Sequence, residues 1–385
     1  MTFEQPKEEI MSKNTLMIFG LGDLGGYVLE FLAREPNVPR IVAADKNEDW
    51  GIRKTNSALI GAAQFNCFPD IEFYPLDIFD IDATTRLLER ERPRLIYNSL
   101  SLQSWWVITQ LPPAAYKTID EARFAPWFPM HYVPAHKLMQ AVQKSGIETV
   151  VVNAAFPDLV NPALAKLGLA PNVGIGNIDN IVGTLRLVAA RMLKAPLRSV
   201  NLYMVCPHYV SYYMARYGTA GDAPYYLKVM VDDEDVTSRM DMKDLLAKCT
   251  TAGKRPGSIH AHPVVASSVF KILRGVFADT KELGHAPGPE GLPGGYPIRL
   301  TERGAELFLP EGVTREQAIK INEDAQVYEG VESINDDGSV VLTDQSAGIF
   351  KELLDFDCKV YLPDQCAAKA KELDEKFRKW AGLQK

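Results

Sequence analysis

The stretch that decides the fold runs from Thr15 to Gly51: TLMIFGLGDLGGYVLEFLAREPNVPRIVAADKNEDWG. Thr15–Phe19 is a short apolar run of the kind that makes a strand buried on both faces. Gly20, Gly22 and Gly25 follow as G-x-G-x-x-G, and Leu24, Val28, Phe31 and Leu32 then recur at helical spacing. A second apolar run, Ile41–Ala44, ends in Asp45, 20 residues after Gly25. Each part meets a physical demand of holding a dinucleotide. The glycines allow a tight turn and a close approach of backbone to a pyrophosphate, whose charge meets the free N–H groups of a helix start. A carboxylate ending the second strand accepts hydrogen bonds from a ribose diol and repels a 2′-phosphate. Strand, helix and acid in this order mark a dinucleotide-binding unit. The expected cradle is Gly20, Leu21, Gly22, Asp23, Leu24 and Gly25, with Asp45 on the ribose. Asp45 favours NAD over NADP, although the adjoining Lys46 works the other way.

The alternation continues outward. IEFYPL and RLIYN read as strands with DATTRLLERER helical between them, and PAHKLMQAVQKSG is a helix with Pro134 near its start and Gly146 as its stop, before the strand TVVV. Strands alternating with helices predict an α/β fold with a doubly wound parallel sheet. Ligands bind at the carboxyl ends of such strands, which singles out Ser99 and Leu100 for the cofactor and Asn153 for chemistry. The long segment from Ser99 to Tyr132 holds Trp105, Trp106 and Trp127, three of the five tryptophans. It reads either as a binding lid, with Trp105 and Trp106 against substrate, or as an aromatic anchor on the core.

Composition narrows the partners. Over 385 residues the chain is 46% hydrophobic and 24% charged, with a net charge of -7. That length suits two domains better than one core. The charge argues against nucleic acid or an anionic membrane as main partner. No apolar run reaches the length of a membrane span. Residues 1–14 read as a loose charged tail rather than a signal peptide. The five cysteines are scattered with no C-x-x-C, which fits a reducing cytoplasm.

Beyond the sheet, VVVNAAFPDLVNPALAKLGLAPNVGIGNIDNIVGTLRLVAARML…VNLYMVCPHYV resembles the lactate/malate dehydrogenase superfamily. That family has a strand ending in Asn, a Pro-Asp opening a helix, a G-x-G-N-[LI]-D element, then a helix and a strand leading to the catalytic His. The matching positions are Asn153, Pro157–Asp158, GIGNIDN with Asp179, and His208, 29 residues after Asp179. SSVFKILRGVFAD looks like the family's core helix. GGYPIRLTERGAELFLPEGVTREQAIKINEDAQ looks like its closing strands and last helix, with Thr314 and Gln317 as a capping box. The resemblance spans about residues 15–327. It implies a Rossmann domain over 15–153 and an α+β substrate domain over 154–385. Residues 328–385, a hairpin at NDDG and two helices, extend past the family's end. It also implies a homodimer or homotetramer.

Departures from the pattern redirect the substrate. The family's 2-hydroxy-acid enzymes carry, three residues after the motif aspartate, an arginine that grips the substrate carboxylate; Val182 stands here. No arginine occurs between Asn98 and Arg123 to serve as a lid arginine. Aliphatic side chains cannot replace a bidentate clamp.

Hydride transfer from an alcohol carbon needs a base for the hydroxyl proton, and neutral imidazole suits this near pH 7. A carboxylate on the other ring nitrogen fixes the tautomer. His208 with Asp179 is the expected pair, and Asn153 is expected to hold the substrate oxygen or the nicotinamide amide. Tyr212, His260 and His262 are expected near the substrate. Asp179 alternatively caps a helix, and His208 alternatively closes a strand against the backbone. A metal reading sets Cys206 and His208 on one strand face, with His260 and His262, as in the NAD- and metal-dependent family 4 glycosidases. His131 and His136 read as structural. The expectation is therefore an NAD-dependent oxidoreductase acting on a secondary alcohol or ketone such as a sugar, polyol or aromatic alcohol. No bound metal is expected. A glycosidase-like lyase or hydrolase, or a non-catalytic NAD sensor, are the alternatives.

Overall fold

The computed structural model describes residues 14–383, so all but Asn14 of the expected N-terminal tail lies outside the described residues. Six parallel strands form the central sheet: β1 (Thr15–Phe19), β2 (Arg40–Asp45), β3 (Ile71–Pro75), β4 (Leu95–Asn98), β5 (Val150–Asn153) and β6 (Val173–Gly174). Their order is β3-β2-β1-β4-β5-β6, the doubly wound arrangement, with the switch point between β1 and β4. Helices α1 (Asp23–Ala33), α2 (Glu48–Ala63) and α3 (Ile81–Glu91) connect the early strands. Strand alternation splits the sheet's side chains between two cores. Leu16 and Ile18 join a core with α10 (His262–Phe277), while Met17 and Phe19 join one that reaches the C-terminal residues. The sheet does not stop at Asn153. Its sixth strand is only two residues long, too short for composition to reveal.

Between β4 and β5 the long segment folds into a 3-10 turn (Trp105–Gln110), α4 (Pro113–Asp120), a second 3-10 turn (Ala125–Trp127) and α5 (Phe128–Ser145). Pro134 therefore lies inside α5, not near its start. The bond it cannot donate would have gone to the carbonyl of Met130, and Leu102 N–H donates to that carbonyl instead, at 2.8 Å. Pro162, inside α6 (Pro157–Ala165), works the same way: the carbonyl of Asp158 receives Gly294 N–H at 3.4 Å. Each proline frees an acceptor that ties a distant segment to the helix.

The second half comprises α7 (Ile178–Leu193), the antiparallel sheet β7-β8-β9 (Val200–Val205, Tyr226–Val231, Glu234–Asp235), α8 (His208–Tyr217), α9 (Met242–Ala247), α10, the sheet β10-β11-β12 (Leu283–Pro287, Gly295–Thr301, Gly304–Leu307) and α11 (Arg315–Gln326). The capping box at Thr314 and Gln317 is formed at the start of α11. A third sheet, β13-β14-β15 (Val331–Ile334, Val340–Leu342, Val360–Tyr361), and helices α12 (Asp344–Leu354) and α13 (Cys366–Ala381) make the extension. It docks on the sheet half. Trp127 is buried between Phe350 and Phe377, ring centroids 5.3 and 4.8 Å away, and Tyr361 O–H donates to the Pro126 carbonyl at 2.6 Å. Of the two readings of Trp127, the anchor is the one the packing supports.

Candidate functional site

The glycine loop sits where the sheet changes direction. Gly20 has φ +91°, and a Cβ there would crowd Ser99 and Leu100, while a Cβ on Gly25 would strike the Gly20 carbonyl oxygen. A Cβ on Gly22 would meet nothing within 4 Å, so an open space lies in front of the uncapped start of α1. That cradle fits a pyrophosphate. Asp45 braces it: Oδ2 accepts from Leu21 N–H at 2.7 Å and Oδ1 from Asn47 N–H at 2.9 Å. Trp106 Nε1 donates to Asp23 Oδ2 at 3.0 Å, which brings the 3-10 turn of the long segment against the cradle. Trp105 is 39% exposed and its ring faces His262, which stacks on Tyr27. His262 is buried and its Nδ1 is bonded to the Ile259 carbonyl, whereas His260 is exposed, so the two do not share a face.

His208 does not end a strand. β7 stops at Val205, Cys206 bridges to Gly295, and Pro207 sets the chain for α8, whose first residue is His208. Cys206 is fully buried, and burial pushes its thiol well above the usual range. The common face on which the metal reading depended is absent. Among the described residues no group of three His, Cys, Asp or Glu side chains is placed to hold a metal ion.

The expected carboxylate partner is replaced. Asp179, in the first turn of α7, accepts from Lys271 Nζ of α10 and makes no hydrogen bond to the imidazole among the described residues. His208 Nδ1 lies instead 2.9 Å from Oε2 of Glu329, a residue of the extension just after α11. Glu329 is 3% exposed. Burial works to lower the His208 pKa, but the charge and hydrogen bond of Glu329, with Asp158 behind them, outweigh it and hold the imidazole above its ordinary value. With Nδ1–H donating to Glu329, neutral His208 carries its lone pair on Nε2. Phe124, Phe156 and Tyr212 wall the ring at centroid distances of 5.4, 5.6 and 5.1 Å. His131 faces the same wall; burial drives its pKa down to about 3, so it is neutral.

Asn153 is also corrected. It is fully buried and its amide is consumed by a chain of bonds: Asn98 Nδ2 donates to its Oδ1 at 2.8 Å, its Nδ2 donates to Asn161 Oδ1 at 2.9 Å, and Asn161 Nδ2 donates to the Gly288 carbonyl at 3.1 Å. With Ala155 N–H donating to its Oδ1 at 3.0 Å and its Nδ2 donating to the Ala155 carbonyl at 3.2 Å, it pins β4, β5 and α6 together and has no capacity left for a substrate.

Sequence reasoning did not assign Glu329, Asp158 or Asn322. Asp158 follows the Pro157 that opens α6, and its Oδ2 accepts from Asn177. Burial pushes its carboxyl up to about 6, against the lowering effect of His208 and Asn177. Val182 stays in the apolar core of α7 beside Ile178, Ile181 and Leu185. Arg123 has a left-handed backbone (φ +67°), and its guanidinium lies 5.6 Å over the Tyr209 ring with no ion pair to a carboxylate among the described residues.

The sheet order, the glycine cradle and the α+β half together define the fold of the lactate and malate dehydrogenases. The chain is similar to a lactate dehydrogenase of Eimeria maxima solved with NADH and oxamate, at 12% identity and TM-score 0.57 over 84% of this chain and 93% of that one. It is similar to the malate dehydrogenase of Cryptosporidium parvum at 13% identity and TM-score 0.58, over 82% and 98%. A malate dehydrogenase of Picrophilus torridus aligns at 14% identity and TM-score 0.57, over 82% and 96%. No protein-family profile and no curated protein matches the sequence.

Proposed function

We propose that the chain is an NAD-dependent oxidoreductase that interconverts a secondary alcohol and a ketone, with His208 as the acid–base group and Glu329 as its orienting carboxylate. The observation that carries this reading is the 2.9 Å His208–Glu329 contact, which leaves Nε2 free in a chain with an open glycine cradle. Asp45 supports NAD over NADP. When bound, the nicotinamide supplies the hydride acceptor. In the oxidation direction His208 Nε2 takes the hydroxyl proton as the carbon–hydrogen bond breaks, and Glu329 stabilises the imidazolium formed. The aromatic walls of Phe124, Phe156 and Tyr212 narrow the solvent access to that step. Val182 and the missing lid arginines support a substrate other than a small 2-hydroxy acid.

Ile60, Phe65 and Phe68, at the end of α2 and just beyond it, are 64, 67 and 82% exposed, which supports a homo-oligomer; light scattering of the full chain tests it. No helix among the described residues is long and apolar enough to cross a membrane. The test of function is NADH formation followed at 340 nm with a panel of alcohols. Turnover that His208→Asn lowers by about 10²–10⁴ supports the reading. Equal turnover in the variant refutes it, while efficient turnover of lactate or malate by the unaltered protein leaves the hydride transfer standing and refutes the exclusion of small 2-hydroxy acids.

A further inference from the structure

Three buried acceptors around His208 have no donor. Asp158 Oδ1, Glu329 Oε1 and Asn322 Oδ1 are each without a hydrogen-bond partner among the described residues, although their side chains are otherwise held. Asp158 gives Oδ2 to Asn177, Glu329 gives Oε2 to His208, and Asn322 Nδ2 donates to the Gly295 carbonyl. Their residues are 7, 3 and 0% exposed. All three, with His208, Phe156 and Gly294, line one cavity with room for a single group about the size of water, roughly 20 Å³. Native proteins rarely leave a buried acceptor unmet, because its lost hydration is then repaid by nothing.

The stoichiometry of donors selects the occupant. A water offers two hydrogens to three acceptors and brings no charge. A primary ammonium offers three and is positive. Two carboxylates line the cavity, and His208 supplies a donor to only one oxygen of one of them. His208 is turned to Glu329, and the Arg123 guanidinium lies over Tyr209. We propose that this cavity is a receptor for a protonated primary amine, so that the alcohol or ketone handled at His208 carries an ammonium group. The inference rests on the hydride-transfer reading above and names its substrate class. It also inverts the sign of the pocket: the family's arginine is replaced by Val182, and buried acid stands beside the base. Asp158, ionised above a pH of about 6, supplies part of the negative charge at neutral pH.

The test is a thermal-shift titration of the full chain at pH 8 and constant ionic strength. The probes are methylammonium, ammonium, potassium, sodium and tetramethylammonium chlorides, and NADH is titrated separately. Methylammonium and ammonium are expected to raise the melting temperature, while sodium and tetramethylammonium, which donate no hydrogen bonds, are not. Asn322→Leu should weaken methylammonium at least tenfold, and Asn322→Asp, which keeps an acceptor, should restore it. Equal stabilisation by potassium would replace the amine with a free metal cation and overturn the proposal. No response to any cation would leave a water as occupant and also overturn it. NADH binding without a methylammonium response refutes the amine alone; loss of both refutes the hydride-transfer reading as well.

Discussion

Glu329→Gln separates the charge of the carboxylate from its hydrogen bond. Glutamine keeps an oxygen for Nδ1–H at the same reach, so the tautomer is retained and the Coulombic support is lost. Two unit charges about 4 Å apart attract by about 4 kcal/mol at an effective dielectric near 20. The His208 side chain keeps 21% of its surface in solvent, so about half of that, ~2 kcal/mol, is the reasonable loss. At 1.4 kcal/mol per decade this is about a 30-fold fall in kcat/KM for alcohol oxidation. The pH profile carries a second signature. A base whose pKa is held up gains activity as pH rises through that raised value. With Glu329 neutralised, burial is left to dominate and the inflection moves to lower pH. Initial rates at 340 nm between pH 5.5 and 9 measure both. Asp179→Asn is the paired control. It breaks the contact with Lys271 and lowers the melting temperature, but should leave kcat/KM within about threefold and the inflection in place. If Asp179→Asn abolishes activity and Glu329→Gln does not, the assignment of the partner is wrong.

The cradle and the second carboxylate give further expectations. Gly22→Ala should fold with a melting temperature within a degree or two of the parent, yet bind NADH at least tenfold more weakly, because the methyl enters the open cradle; Gly25→Ala should lower the melting temperature itself. Asp158→Asn should raise stability at pH 8 and hardly change it at pH 4. The folded carboxyl, held at about 6, retains a proton that the unfolded one has lost from about 4 upward, so stability declines across that window. The ceiling of the gain is about 3 kcal/mol, read by denaturant unfolding at the two pH values. Trp127→Ala should cost about 3–5 kcal/mol in the same assay, since it empties the space between Phe350 and Phe377. It should also lower activity by loosening the extension that holds Glu329.

What the sequence disclosed follows the range of the forces involved. The glycine turn and the Thr314–Gln317 box are local devices whose geometry is contained in a few adjacent residues, and the capping box is formed as expected. The spacing from Asp179 singles out His208, but nothing near it in the sequence points to Glu329 as the group on its ring. The direction of the Asp179 side chain is set by Lys271, 92 positions on, and the occupancy of Nδ1 by Glu329, 121 positions on. Asn153 looked available because nothing in its neighbourhood announces Asn98 and Asn161 as its claimants. Pro134 looked like a helix start because a proline's missing donor is local, whereas Leu102, which takes over the freed carbonyl of Met130, arrives from the long segment.

The position of Glu329 has a consequence in time. A ribosome releases the sheet, the glycine cradle and His208 well before the extension, and domains condense in the order they are made. During that interval the nascent protein has its glycine loop but an imidazole with no carboxylate to hold it. The carboxylate reaches the ring only when the last strands and helices pack over Trp127 and bring Glu329 to His208. If His208 is the acid–base group proposed above, chains cut before Glu329 should bind NADH and fail to turn over alcohol.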